Sequence, residues 1–343
     1  MNKYDDLSDR EKAVLISTVV EYIKKGKPVS SSTLSNDYTI NVSSATIRNV
    51  LAQLEDDGYV YQPHVSAGRI PTDKGYRFYV DNSIFYHDLS FEEKRKIRNF
   101  SQKRILKLDK LLNQISKMLS QISSKIGVSV LPHMQYDKIK CIKIVPVTKS
   151  KMFAVIITKS GFVREELFQL ENSIHLSRDF IQKVNNYLER KICNVKINEA
   201  KNILKKDKMI TNYKFLYEVI FDKLMRTTVK DSNIYIKGLT NYLKYDKSSE
   251  LIEVFEQGII DNIIKNEKNF NSQKLMIKIG HENKVKYLND YSLISKSVDI
   301  DENLDIKIAL LGEKRVDYGK MISILEYTAN ILKEKFNREE MYD

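Results

Sequence analysis

The stretch that decides the fold runs from Ser43 to Val80 and reads SSATIRNVLAQLEDDGYVYQPHVSAGRIPTDKGYRFYV. It opens with two hydroxyl residues that can cap a helix, and apolar residues at helical spacing continue until Asp57-Gly58, where the helix is predicted to end. Tyr59-Val60-Tyr61 predicts a short strand, and Pro63 to Gly68 predicts a turn that leaves Arg69 at a hairpin tip. A capped helix with a small polar face, followed at once by a hairpin, is typical of a winged helix-turn-helix that binds DNA.

The residues before this stretch complete a unit of three helices. Ser8 to Glu11 form a capping box that opens a helix reaching about Lys25, and Gly26-Lys27-Pro28 breaks it. Ser30 to Leu34 predicts a short second helix. The third helix is expected to face the major groove, and its N-terminal N–H groups and positive dipole end would attract a phosphate.

Polar residues of this unit are the candidates for DNA contact, and each has a structural alternative. Ser43 and Ser44 can be helix caps, the amides of the third helix can be a solvated face, and Arg48 can pair with a carboxylate of the same helix. Arg69 at an exposed hairpin tip would suit minor-groove or phosphate contact. The predicted DNA-binding residues are Ser43, Ser44, Thr46, Arg48, Asn49, Gln53, His64, Ser66, Gly68, Arg69, Lys74 and Arg77.

The same residues carry a resemblance to a known family. The pattern SSATIRN…LE..GY…PH.SAGR.PTDKGYRFYVD resembles the signature of HrcA, a family of heat-inducible transcription repressors. Gly280 to Asn283 with Leu288 to Ile294, and Leu311 to Tyr327, are similar to two further motifs of that family. The resemblance implies a homodimer that binds an inverted-repeat operator upstream of chaperone operons and is released by heat. It also implies a chaperonin that helps to keep the repressor active.

The remaining pattern predicts an α+β architecture. Phe91 to Ile126 reads as one long amphipathic helix, or two in series, whose apolar stripe packs on its own next domain or across a dimer axis. Asn82 to Ser90 is the expected linker before it. Strands are predicted between residues 128 and 170, helices with one short strand between 176 and 265, strands again from 275 to 311, and a last helix from 318 to 336. This order fits a split domain or two domains in series.

The resemblance favours the split version, in which a GAF-like α+β domain is interrupted by a largely helical inserted dimerisation domain. The predicted boundaries are 1–82 for the winged helix-turn-helix domain, 83–103 for the linker and the start of the long helix, 104–170 for the first GAF-like part, 171–248 for the insertion and 249–343 for the second GAF-like part.

Composition and charge limit the possible functions. The net charge is +12, yet residues 1–82 hold 10 Lys or Arg against 11 Asp or Glu, so phosphate contacts there must come from a few well-placed groups. The basic segment from Lys94 to Lys125 can add long-range attraction, or it reflects a general basic bias. Cys141 and Cys193 have no CxxC partner and are expected to be buried, reduced thiols. The polar N-terminus and the absence of a long apolar run predict a cytoplasmic protein.

No catalytic motif is present in the sequence. The five histidines lack metal-binding spacing, and there is no P-loop, nucleophile elbow or dinucleotide-binding motif. The chain is therefore predicted not to be an enzyme and to need no cofactor, with His281-Glu282 in a structural role. Two alternatives stay open: a regulator that senses a metabolite through the GAF-like domain, and an enzyme with a DNA-targeting domain.

Overall fold

The structure is a computed structural model that describes residues 7–35, 42–83, 87–101, 108–131, 136–148, 151–169, 177–208, 233–241, 253–255, 258–265, 275–301 and 304–340. Its helices are α1 (Asp9–Lys25), α2 (Ser31–Ser35), α3 (Ser44–Asp56), α4 (Asp73–Ser83), α5 (Phe91–Ser101), α6 (Leu108–Ser123), α7 (Arg178–Ile192), α8 (Ile197–Lys205), α9 (Ile259–Lys265) and α10 (Tyr318–Glu340). Its strands are β1 (Val60–Tyr61), β2 (Ile70–Pro71), β3 (Ile126–Leu131), β4 (Ile139–Pro146), β5 (Lys151–Thr158), β6 (Val163–Gln169), β7 (Asn233–Lys237), β8 (Leu275–Ile279), β9 (Tyr291–Asp301) and β10 (Leu304–Glu313). The predicted α+β class is confirmed.

An N-terminal unit, residues 7–35 and 42–83, contains α1 to α4 and the β1–β2 hairpin. The predicted capping box opens α1: the Ser8 hydroxyl accepts from the Glu11 N–H, and the Glu11 carboxylate accepts from the Ser8 N–H at 2.7 Å. Gly26 ends the helix in the left-handed region with φ 66°. Val14 and Leu15 of α1 are fully buried in the core of this unit, so the short helices around them are stabilised by shared packing.

A five-stranded unit forms the centre of the chain. Its antiparallel sheet has the order β7-β3-β10-β9-β8, with α6 packed on β3 and α10 packed on β9. Every residue of β3 is buried, because helices cover one face of the sheet and α9 packs on the other. The polar residue of this strand, Ser129, is satisfied inside the core, because its hydroxyl donates to the Leu112 carbonyl at 2.8 Å and lies 2.8 Å from the Ser116 hydroxyl. The other residues of β3 are apolar or glycine, as burial on both faces requires.

A separate three-stranded unit, residues 136–148, 151–169 and 177–208, contains the sheet β4-β5-β6 with α7 packed on β4. Ile142 and Ile144 of β4 are buried on the same face, toward α7. The Asn185 side chain accepts from the Ile144 N–H and donates to its carbonyl, both at 2.8 Å, which fixes α7 against the strand. Cys141 and Cys193 are free but only half-buried, so the expectation that they are buried is wrong.

Sheet membership differs from the predicted domain boundaries. β4, β5 and β6 were assigned to the first GAF-like part, yet they form their own sheet with α7 and α8. β7 falls inside the predicted insertion of residues 171–248, yet it pairs with β3 in the five-stranded sheet. Sheet pairing therefore does not follow the predicted boundary at 170/171, because local periodicity identifies a strand without identifying the distant strand that pairs with it. A further helix expected at 215–229 lies outside the described residues.

Helices α5 and α6 connect the N-terminal unit to the five-stranded unit, and here the structure agrees with the sequence pattern better than it does for sheet membership. Within the described residues the long amphipathic segment contains the helices α5 and α6, and residues 102–107 between them lie outside the described ranges. Ser90 caps α5, since its hydroxyl accepts from the Glu93 N–H and the Glu93 carboxylate accepts from the Ser90 N–H. Ile97, Leu112 and Ile115 are fully buried within the chain, so the apolar stripe packs on its own domain.

Candidate nucleic-acid interface

Helix α3 separates an apolar face from a polar one. Ile47 and Leu54 are fully buried in the N-terminal unit. Arg48, Asn49 and Gln53 lie on the opposite face and are exposed. Among the described residues no carboxylate pairs with Arg48. The alternative in which Arg48 forms an ion pair with a carboxylate of α3 therefore does not apply. The helix therefore presents a cationic group and two amides to solvent.

The hydroxyl residues at the start of α3 act as caps. The Ser43 hydroxyl accepts from the Thr46 N–H at 3.2 Å and lies 2.9 Å from the Thr46 hydroxyl. The Ser44 hydroxyl donates to the Ser31 hydroxyl at 3.1 Å, which ties the start of α3 to α2. Ser43 is exposed and Ser44 half-buried, so the capping role leaves this helix end open to a ligand.

The tip of the β1–β2 hairpin is formed by residues 64–66. Val65 is 99% exposed, and His64 and Ser66 on either side of it are also exposed. The Gln62 side-chain amide donates to the carbonyls of Val65 at 2.9 Å and Ala67 at 2.8 Å. These bonds hold the tip in one conformation, which lowers the entropy that a binding partner must remove.

Arg69 does not lie at this tip, so the prediction of an exposed arginine there is wrong. Its side chain is 17% exposed, and its Nη2 lies 2.7 Å from Oε2 of Glu55 near the end of α3. Glu55 also accepts from the Gln62 N–H at 2.8 Å. The backbone N–H of Arg69 donates to the Val29 carbonyl at 2.8 Å and its carbonyl accepts from Val29. Arg69 therefore joins the hairpin to α3 and to the segment before α2.

Gly68 has a packing reason that does not involve DNA. A Cβ atom at Gly68 would clash with the backbone carbonyl of Val29, which lies directly against it. Only glycine lets the hairpin approach this segment so closely. This close approach of two backbones requires a glycine by itself, and the predicted DNA contact of Gly68 stays a prediction.

Lys74 and Arg77 also contact protein groups. The Lys74 ammonium donates to the Asp57 carbonyl at 2.8 Å and lies 4.0 Å from the centroid of the Tyr59 ring, so it caps the C-terminal end of α3 while remaining exposed. Arg77 forms a bidentate pair with the Glu282 carboxylate of the five-stranded unit. Burial lowers the pKa of Arg77, but the bonds to Glu282 outweigh it and the net pKa is raised. Arg77 therefore contacts the five-stranded unit, and its predicted DNA contact stays a prediction.

A polar junction between two units was missed by the sequence reasoning. Asp73 of α4 accepts from the Lys314 ammonium at 2.7 Å and from the His281 N–H at 2.9 Å. His281 and Glu282 were predicted to be structural, and they meet α4 at this junction. The only signal in the sequence was that both segments, PTDKGYR and GHEN, carry the family resemblance, which does not reveal that they are in contact.

Metal sites and membrane-spanning helices were also sought among the described residues. The described residues bring together no three His, Cys, Asp or Glu side chains that could hold a metal ion. None of the helices within the described ranges combines the length and the apolar character needed to cross a membrane.

Known proteins resemble the chain over nearly its whole length. The family model described as HrcA protein C terminal domain matches residues 109–322. The heat-inducible transcription repressor HrcA of Acetivibrio thermocellus is 30% identical over 345 residues, covering 97% of each chain. That of Bacillus pumilus is 31% identical over 348 residues, covering 98% of this chain and 99% of the other. A crystal structure described only as a hypothetical protein is 25% identical with a TM-score of 0.65, covering 97% of this chain and 99% of that one.

These matches define the class of protein as a transcription repressor and agree with the expectation that the chain is not an enzyme. They give no support to the metabolite-sensing alternative. The chain belongs to the HrcA family of heat-inducible transcription repressors.

Proposed function

We propose that the N-terminal unit is a winged helix-turn-helix domain that binds double-stranded DNA. In this proposal α3 enters the major groove and the β1–β2 hairpin contacts the backbone or the adjacent minor groove. The observation that carries the proposal is the exposed polar face of α3, with Arg48, Asn49 and Gln53 in solvent. Arg48 pairs with no described carboxylate, whereas Arg69 and Arg77 are held by protein partners.

The proposed contacts fall into two groups. Arg48 and Asn49 lie near the start of α3, where bidentate hydrogen bonds to base edges can specify sequence. The N-terminal N–H groups of α3 and the exposed hairpin tip with His64 and Ser66 suit the phosphate backbone. The proposed DNA contacts are Ser43, Ser44, Thr46, Arg48, Asn49, Gln53, His64 and Ser66, while Lys74 stays a prediction at the far end of α3.

The protein is proposed to act as a homodimer through the outer face of the three-stranded sheet. Val145 pairs across the strands with Phe153, and Phe153 pairs with Leu167, which gives a continuous apolar row. Val145 is 47% exposed and Leu167 58% exposed. An exposed apolar face of this kind marks an interface. Because an inverted repeat presents two identical half-sites, the required partner is a second copy that buries the same face.

This assignment moves the proposed dimer interface from residues 171–248 to residues 139–169. The five-stranded unit is the proposed GAF-like domain, interrupted by the three-stranded unit. The dimer binds an inverted-repeat operator upstream of chaperone operons, occludes the promoter and leaves it on heating, and a chaperonin modulates the active form. The support for these steps is family membership together with an exposed α3 face and an exposed apolar sheet face in one chain.

Selection of bound sequences from a random DNA pool, run at two temperatures, tests the proposal. We expect an inverted repeat at the lower temperature and its loss at the higher one. Arg48→Ala should weaken binding to the selected operator by about 1–3 kcal/mol, with little loss on random DNA. Arg95→Ala is the matched control, because Arg95 is an exposed arginine of α5 whose ion pair within the described residues is with Glu92, three residues away. Equal weakening on both DNAs would make Arg48 a phosphate contact and remove it from sequence readout.

A further inference from the structure

Two charged residues of α4, Asp73 and Arg77, lie one helical turn apart and both bind the five-stranded unit. Asp73 Oδ1 accepts from Lys314 at 2.7 Å, and its Oδ2 accepts from the His281 N–H at 2.9 Å and lies 2.7 Å from the ring Nδ1. Arg77 pairs with both oxygens of Glu282. We call Asp73, Arg77, His281, Glu282 and Lys314 together the latch.

The geometry of the latch is rigid on both sides. Arg77 also donates to the Ile277 carbonyl at 2.6 Å, and Glu282 also accepts from the Ile279 N–H at 2.9 Å, so neither partner can swing freely. An arginine–carboxylate fork fixes rotation as well as distance, unlike a lysine pair. The side chains of Asp73, Lys314 and Arg77 are 21%, 25% and 20% exposed, so water weakens the Asp73–Lys314 bond less than it weakens surface pairs. The side chain of Glu282 is 36% exposed and that of His281 75% exposed, so their bonds are only partly shielded.

Backbone packing brings Asp73 still closer to the five-stranded unit. Gly280 has φ 51°, and a Cβ atom there would clash with the Asp73 carboxylate. Burial raises the pKa of Asp73, but the hydrogen bonds from Lys314 and His281 outweigh it, so the pKa lies below its ordinary value. The carboxylate therefore stays charged, and the bonds that depend on its charge persist at neutral pH.

Aromatic contacts and a second attachment point surround the latch. The rings of Tyr76 and Tyr79 lie 6.1 Å and 6.4 Å, between centroids, from the buried ring of Tyr318. At the end of α1, Arg315 of the five-stranded unit donates to the Ile23 carbonyl at 3.2 Å. Because both α4 and α1 contact the five-stranded unit, the contacts fix the orientation of the N-terminal unit relative to the five-stranded unit as well as the distance between them.

We infer that Asp73, Arg77, His281, Glu282 and Lys314 are positioning residues that set the half-site spacing an operator must have. This inference rests on the proposed function of a dimer on an inverted repeat. Two DNA-binding units attached to one dimer can engage both half-sites together only when their separation and direction match the turn of the DNA. A rigid latch fixes the position of α3 relative to the rest of the dimer. It therefore restricts the half-site spacings at which both DNA-binding units can bind one operator together.

The test measures affinity for operators whose two half-sites are separated by spacers varied one base pair at a time, and for a single half-site. The wild-type chain should prefer one spacer, with a loss of about 10²-fold when the half-sites are out of register. In Arg77→Met with Glu282→Gln, single half-site affinity should stay within about threefold while the spacer preference flattens. Lys314→Met removes one partner of Asp73 and should flatten the profile partially. Arg95→Met is the matched control and should keep the wild-type profile.

The outcomes separate the inference from the proposed function. A wild-type chain that gains nothing from a second half-site would overturn the dimeric operator proposal. A wild-type chain with a spacer preference that the folded, dimeric latch variants retain would overturn the inference alone. Loss of single half-site affinity in the latch variants would also overturn it, since the residues would then support the fold of the N-terminal unit or contact DNA. Thermal unfolding and sedimentation of each variant establish that it is folded and dimeric.

Discussion

Replacing Arg69 by alanine should loosen the N-terminal unit without changing the number of phosphates that DNA binding neutralises. The pair with Glu55 joins atoms 2.7 Å apart, with side chains 17% and 31% exposed. Exposed pairs contribute about 0–1 kcal/mol, and removal of one partner of a buried pair costs about 3–5 kcal/mol. After the change Glu55 still accepts from the Gln62 N–H, so its charge keeps one partner. We therefore expect a loss of about 1–2 kcal/mol.

The loss should be visible in the temperature at which the N-terminal unit unfolds. For a domain of about 60–100 residues, 1 kcal/mol lowers the midpoint by about 4–8 °C. Hydrogen exchange measured on peptides that cover α3 and the hairpin reports this unit within the full chain. The slope of operator affinity against salt concentration should stay at the wild-type value, whereas loss of one phosphate contact lowers it by about 0.9. Arg48→Ala is the matched control and should leave exchange protection within about 0.5 kcal/mol.

The opposite pair of results would refute this reasoning. If Arg69→Ala leaves the exchange protection of α3 and the hairpin unchanged and lowers the salt slope by about 0.9, Arg69 contacts a phosphate in the complex. The ion pair with Glu55 would then contribute nothing to the position of the hairpin.

Three further changes have expected outcomes. Gly68→Ala forces a Cβ atom into a backbone carbonyl and should cost the N-terminal unit about 1–3 kcal/mol, read from the same hydrogen-exchange peptides. Hydrogen bonds, first of all from Lys320, lower the pKa of Glu93 from 4.5 to about 2, so its stabilisation is present above pH 4.5 and lost as the pH falls toward 2. Glu93→Gln should flatten that acid limb in urea unfolding at a series of pH values, and an unchanged limb would exclude Glu93 as its source. Leu167→Lys places a charge on the proposed dimer interface and should dissociate the dimer in sedimentation experiments, whereas Asn113→Lys on the exposed side of α6 should not. If the Leu167→Lys variant remains dimeric, the dimer interface lies on another surface.

The local elements follow from the sequence because their signals are local. A capping box identified the start of α1, and Ser43 identified the start of α3. Alternation and apolar runs identified the strands from β3 to β10, including the short β7. The exposed face of α3 also follows from the sequence, since helical spacing alone turns Arg48, Asn49 and Gln53 away from the face that carries Ile47 and Leu54.

Partners that are distant in the sequence were decided by the tertiary structure alone. Arg77 is 205 positions from Glu282, and nothing in its neighbourhood distinguishes a DNA contact from an ion pair. β7 reads as an isolated strand until β3 pairs with it across a separation of about 100 residues. The physical reason is that periodicity and capping depend on groups within a few residues of one another. The pairing of a strand edge or a charge depends on which distant surface the folded chain brings within hydrogen-bonding distance.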